Sequence, residues 1–155
     1  KKVKQSVSYE QILSGQGLSN IYQSLMKNKR FNKTKYAREI GNAKNKAELI
    51  SKYMNADKTC KSTFDVFKIV YEKFARNSAL DCLALGGVYI TGGIAPKNKD
   101  IFDKKFIKTF EDNHRLSFIL KKMPIYLIIN NIVGLLGAGF AGCKFFSNGE
   151  AVQST

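Results

Sequence analysis

The residues best placed to do chemistry here are one carboxylate and a few glycines. Glu10 lies five residues before Gly15 in SYEQILSGQGLSNIY, residues 8–22. A carboxylate facing a cleft accepts hydrogen bonds from the paired hydroxyls of a sugar or polyol; a glutamate beside an exposed turn is otherwise only solvated. In ITGGI, residues 90–94, Gly92 and Gly93 follow a β-branched run directly. Without a Cβ in the way, the backbone there can approach a flat ring or a phosphate closely, and the plain alternative is a tight turn out of a strand. LSGQG, residues 13–17, is a glycine turn of the same kind. His114, in FEDNHRL, has acids and an arginine around it and reads as an exposed or locally bonded histidine. The sequence contains no Ser/His/Asp ordering, no Walker A loop and no zinc-ligand spacing.

The elements that must carry these residues follow from periodicity. Leu18, Ile21, Tyr22 and Leu25 predict a helix over 18–27, with Gly17 freeing the entry angle and Ser19 available as a cap. Residues 28–46 read as a basic, solvated connection with a short helix near 36–40, and KAELISKYM as another short helix. The longest helix is predicted over 57–84, capped by Asp57 or Thr59 and stopped by Gly86 and Gly87. Phe64, Phe67, Tyr71 and Phe74, widened by Val66 and Val70, form its apolar stripe. Val88 to Thr91 reads as a strand, residues 100–122 as charged helix, and PIYLII, 124–129, as a strand without alternation, covered on both faces. The glycines at 134–142 lead into a last helix. Strand, helix, strand in this order predicts a right-handed parallel crossover. Two parallel strands do not make a stable sheet alone, so the sheet is expected to be completed by residues outside this sequence. Ligands of open α/β sheets gather beyond the carboxyl ends of strands, which is where ITGGI falls.

Composition narrows the function classes. The chain has 155 residues, 44% of them hydrophobic, enough for a packed core and for one domain or a piece of one. The net charge of +14 permits contact with nucleic acid or anionic lipid. Lysine spread along a chain is more commonly a solvated surface, and no aromatic-rich basic motif is present. Neither nucleic acid nor membrane is therefore an expected partner; the rival reading is a basic, non-catalytic module using the lysines at 27–46 and 97–108. Cys60, Cys82 and Cys143 are widely spaced and odd in number, as in reduced, cytoplasmic usage with each thiol acting as a small core residue. Residues 123–146 are long enough to cross a bilayer, but Pro124, Asn130, Asn131 and four glycines divide them into strand, turn and helix. Opening on Lys1, directly in patterned sequence, is what a fragment would look like.

Taken together, SYEQILSGQGLSNIY, NSALDCLALGGVYITGGIAPK, FIKTFEDNHR and MPIYLIINNIVGLLGAG resemble the C-terminal half of the bacterial-type glucokinases, among the actin-like, hexokinase-related kinases. Order and spacing agree from about residue 7 to about residue 142, and residues 28–46 match poorly. The resemblance implies an α/β fold: the helix-rich C-terminal half of an actin-like (ribonuclease H-like) ATPase domain, with few parallel strands in this chain. It implies that residues 1–135 belong to the large glucokinase domain and that 136–155 form a C-terminal helix and tail packing back on a small domain absent from this sequence. It further implies phosphorylation of glucose at its 6-hydroxyl, with ATP and Mg2+, by a cytoplasmic homodimer. In that family the glutamate preceding L-S-G-x-G binds sugar hydroxyls, a role that falls on Glu10. The glycine pair after V-x-I-x belongs to the adenosine-binding segment, which is Gly92 and Gly93 here. The family's D-x-G-G-T and G-T-G-L-G phosphate loops, its N-D catalytic aspartate and its E-G-G-H sugar motif have no match. No catalytic residue and no metal ligand is therefore expected in these residues, and the chain by itself is expected to be inactive.

Overall fold

The longest helix forms where the sequence runs longest without a breaker. In the computed structural model, which describes residues 6–31 and 34–147, it is the fourth of seven α-helices in the described residues: α1 (Gly15–Met26), α2 (Ala37–Asn42), α3 (Lys46–Lys52), α4 (Lys58–Asp81), α5 (Lys104–Glu111), α6 (Ser117–Leu120) and α7 (Val133–Ser147). Short 3₁₀ turns occupy Tyr9–Gln11 and Pro96–Ile101. Strands β1 (Val88–Ile90) and β2 (Ile125–Leu127) pair in parallel, with Val88 opposite Ile125 and Ile90 opposite Leu127. The fold is thus α/β and mostly helical, as expected, with a small parallel sheet.

Asp57 starts α4 by accepting from the Cys60 N–H at 2.9 Å, which satisfies one of the orphan donors of the first turn. The amino-terminal half of α4 buries Cys60, Phe64 and Phe67 against Leu18 and Tyr22 of α1, Ile40 of α2 and Ile50 of α3. Its carboxyl-terminal half packs Ala75 and Ala79 against Phe110 of α5, Leu120 of α6 and Met123. A third cluster joins Ile90 of β1, Ala95 and Phe106 of α5 beneath the sheet. Asp103 caps α5 through the Phe106 N–H and pairs with Lys68 of α4 at 2.7 Å. The lysine, by donating to it, holds that carboxyl below its ordinary value.

Several expectations are corrected. α1 begins at Gly15, three residues early, because Ser14 caps it; Ser19 is buried inside the helix and donates to the Gly15 carbonyl. α4 ends at Asp81, and the chain leaves it through Leu83 in the left-handed region (φ 48°), before the glycines are reached. The charged segment at 100–122 is broken: Asn113 accepts from the Arg115 and Leu116 N–H groups and separates α5 from α6. Phe74 and Val66, assigned to the core stripe, lie partly exposed, Phe74 against the Tyr9 ring at 4.6 Å. Val66, one residue from buried Phe67, falls off the buried face, and beside Phe74 the helix buries Ala75 and Ala79. Only Cys60 is a core thiol, its pKa pushed up to about 12 by burial and then by Asp57; Cys82 and Cys143 are exposed. The strands do alternate. Val88, Ile90, Ile125 and Leu127 face the core, whereas Tyr89 and Tyr126 stack outward with ring centroids 5.0 Å apart. Gly87 (φ 120°) leaves room for Tyr126, whose ring would meet a Cβ there at 2.7 Å. Residues 123–146 divide as expected into β2, a turn and α7, and no described helix is long and apolar enough to cross a membrane.

Glu72 of α4 is only 3% exposed. Burial raises its carboxyl above the ordinary 4.5, against the opposing pull of Lys68, Lys105 and Arg76 and with a smaller push from Asp103. A raised carboxyl stabilises the fold fully only below its unfolded value and loses that contribution as pH rises through its folded value. Glu72→Gln, neutral throughout, should therefore raise the melting temperature at pH 7 by about 2–4 °C. That gain should vanish as the pH falls below about 4.5, and an equal gain at both pH values would contradict the assignment.

Candidate functional site

The two glycine turns singled out in the sequence meet at one cleft. Gly15 and Leu18 of α1, Ala47, Glu48, Ser51 and Lys52 of α3 with the preceding Asn45, and Gly93, Ile94, Lys97 and Asn98 line a cavity of about 470 Å³. It lies just past the carboxyl end of β1, where an open α/β sheet places its ligands. A second depression of about 440 Å³ shares Gly15, Asn45 and Ala47 and extends along Gln16, Ser19 and Gln23.

Local sequence explains each wall. Ser8 and Gln11 form a reciprocal cap around the Tyr9–Gln11 turn, the Gln11 side chain accepting from the Ser8 N–H at 3.1 Å. The chain then reverses, and Ser14 accepts from the Gly17 N–H at 2.9 Å to open α1. Gly17 is required by contact: a Cβ there would lie 2.1 Å from the Ile12 carbonyl oxygen. Gly15 needs no such exemption for itself, since its nearest neighbour would be the Ala47 Cβ at 3.7 Å, ordinary packing distance. Together Gly15 and Ala47 let α1 and α3 approach closely and form one continuous wall. Ahead of the opposite wall, and not itself lining the cleft, Gly92 takes φ 112°, a backbone that L side chains rarely adopt, and swings the chain out of β1. Gly93 follows with open space where a side chain would be.

Between the walls runs a polar link. The Asn98 side chain, 8% exposed, donates through Nδ2 to the Ile94 carbonyl at 2.9 Å and accepts through Oδ1 from the Ser51 hydroxyl. Neither residue was marked in the sequence. They are 47 positions apart, and neither belongs to a motif, so no local signal could have joined them.

Glu10 is exposed on the Tyr9–Gln11 turn and is not among the residues that line this cleft. The structure thus brings Gly93 together with Gly15 of the LSGQG turn, with Glu10 outside the lining. His114 is exposed on the connection between α5 and α6. Among the described residues no three His, Cys, Asp or Glu side chains group so as to hold a metal ion.

A family model described as Glucokinase matches residues 1–144. The chain belongs to the glucokinase family. It is similar to the glucokinase of Pectobacterium atrosepticum, with 36% identity over 86% of this chain and 40% of the relative. The glucokinases of Cronobacter sakazakii (35%, over 86% of this chain and 40% of the relative) and Hahella chejuensis (36%, over 87% and 40%) match over the same extent. The chain therefore spans about two fifths of the length of the curated glucokinases it matches.

The tight contact at the first turn gives a direct check. Gly17→Ala should destabilise the chain by about 1–3 kcal/mol, because backbone must shift to admit the methyl group. Gly15→Ala should be tolerated. Denaturant unfolding of the two variants would read the difference, and equal stability would show that the Ile12 contact relaxes freely.

Proposed function

We propose that the polypeptide to which this chain belongs transfers the terminal phosphoryl group of ATP to the 6-hydroxyl of glucose, and that these residues supply one sugar contact and part of the adenosine pocket. The observation that carries this reading is the convergence of the two glycine turns, in a glucokinase-family chain, on one cleft at the carboxyl end of β1. Gly93 presents bare backbone to a purine or ribose, and Gly92 sets the direction of that backbone. The Glu10 carboxylate would accept hydrogen bonds from two neighbouring sugar hydroxyls, from a turn that the Ser14 cap and Gly17 hold against α1.

Phosphoryl transfer depends on positioning and charge stabilisation. The base that takes the hydroxyl proton and the loops that hold phosphate have no counterpart in this sequence. Magnesium would arrive with the nucleotide's phosphates, since the described residues offer it no ligand set. Residues 1–135 belong in this reading to the large domain, and the segment 136–155 packs on the small one. The exposed Leu136, Phe140 and Phe146 of α7 support such packing, Phe140 being 71% exposed; residues 148–155 lie outside the described residues. Pairing as a cytoplasmic homodimer completes the proposal, and the outward Val66 and Ile69 of α4 are suited to a partner surface.

Two measurements test it. The purified chain by itself should show no glucose-dependent ATP consumption, and turnover at an ordinary enzymatic rate would sink the proposal. In the full-length protein, Glu10→Gln should raise the Michaelis constant for glucose roughly tenfold, as expected for losing a charged hydrogen-bond acceptor, with that for ATP little changed. An unaltered glucose constant would remove Glu10 from the site.

A further inference from the structure

The polar link across the cleft fixes which hydrogen bonds its wall can offer. A backbone carbonyl only accepts, so the Asn98 atom facing Ile94 must be the Nδ2 amine. The Asn98 atom facing Ser51 is then the Oδ1 acceptor, and the single proton of the Ser51 hydroxyl is committed to it. What Ser51 Oγ has left for the cleft is lone pairs. Its neighbour on the same wall, Glu48, is likewise an acceptor, its carboxylate receiving from the Asn45 side chain at 3.1 Å. Lys52 and Lys97 also line the cleft, but as flexible point charges they suit phosphates more than the edge of a base. Asn98 cannot easily turn round, being held within the Pro96–Ile101 turn at a non-helical kink (φ −128°, ψ 43°) and nine-tenths buried.

We propose that Ser51, with its hydroxyl oriented by Asn98, is a specificity-determining residue that selects a purine carrying an amino group at position 6 and rejects one carrying a carbonyl there. This rests on the reading of Gly92 and Gly93 as part of the adenosine pocket. A 6-amino group donates into the waiting lone pairs. A 6-oxo group meets them with lone pairs of its own, and Ser51 cannot rotate to donate without breaking its bond to Asn98. A site whose polar groups are pre-set in this way discriminates by leaving the wrong ligand unpaired.

The test is equilibrium titration of the full-length protein with ATP and with inosine triphosphate, in which a 6-oxo group replaces the 6-amino group. The parent protein should favour ATP. Ser51→Ala should narrow the preference about tenfold, chiefly by weakening ATP, in line with one lost hydrogen bond, and Ser51→Thr, which keeps the hydroxyl, should restore it. Asn98→Ala frees the Ser51 proton and should strengthen inosine triphosphate binding, a gain that loss of packing alone would not produce. Gly93→Val, which fills the cleft at a position with room for a side chain, should weaken both nucleotides. If Ser51→Ala leaves the ratio unchanged to within about twofold while Gly93→Val weakens both, the specificity assignment is overturned and the adenosine reading stands. If Gly93→Val affects neither nucleotide, the adenosine reading falls, and the assignment with it.

Discussion

Tyr71, midway along α4, packs against all three apolar clusters of the described residues. Its ring meets Phe67 at 5.7 Å, Phe102 at 5.5 Å edge-on and Phe106 at 6.3 Å, within the range where aromatic pairs attract beyond the area they bury. The amino-terminal helices, the carboxyl-terminal helices and the sheet are thereby fixed to one rod. The sheet needs this more than the helices do. Three-residue strands in a single parallel pair have little stability of their own, and it is the contact of Val88, Ile90, Ile125 and Leu127 with α4 and α5 side chains that keeps β1 in place. Burial of Phe67 and Phe106, each contributing roughly 2–3 kcal/mol, anchors the two ends of that arrangement.

The cleft inherits its geometry from the same rod. Its α1–α3 wall rests on Phe64 and Phe67, whereas the wall of Gly93, Ile94, Lys97 and Asn98 follows β1, supported by Phe106 and Ala95. At the cleft itself the Ser51–Asn98 link, with Ile94 packed on the Leu18 and Ile50 cluster, ties the two walls together. Ligand binding across such a seam uses rigid elements to set distance and a few buried polar groups to set chemistry, an arrangement common to small-molecule sites. Elsewhere the chain leaves apolar surface outward, on the stacked Tyr89 and Tyr126 and along α7. A helix apolar on every side is ordinarily a buried one, which accords with a chain that spans two fifths of its relatives' length.

Much of this was legible in the residues. The apolar spacing of Leu18, Tyr22, Phe64 and Phe67 announced α1 and α4, and the β-branched runs at 88–91 and 124–129 announced both strands and their parallel order. Boundaries were less legible where a cap competed with periodicity. Ser14 outranks Ser19 because Gly15 to Gly17 can enter the helix, and Asn113 cuts the charged segment by offering its backbone neighbours a local acceptor. Phe74 shows the same limit. Its type and spacing suit a core, yet the carboxyl-terminal half of α4 buries the side that carries Ala75 and Ala79, which leaves Phe74 beside Tyr9 at the edge.

By itself the sequence determined the helices, the strand pair, the glycines at 15, 17, 92 and 93, and the family, because each depends on neighbours within a few residues or on ordered motifs along the chain. Only the tertiary structure decided that Gly15 and Gly93 share one cleft, that Glu10 lies outside it, and that Asn98 orients Ser51. These are relations between segments tens of residues apart. They are set by how the aromatic seam of α4 stacks its neighbours, and no local pattern encodes the distance or the hydrogen-bond direction that results.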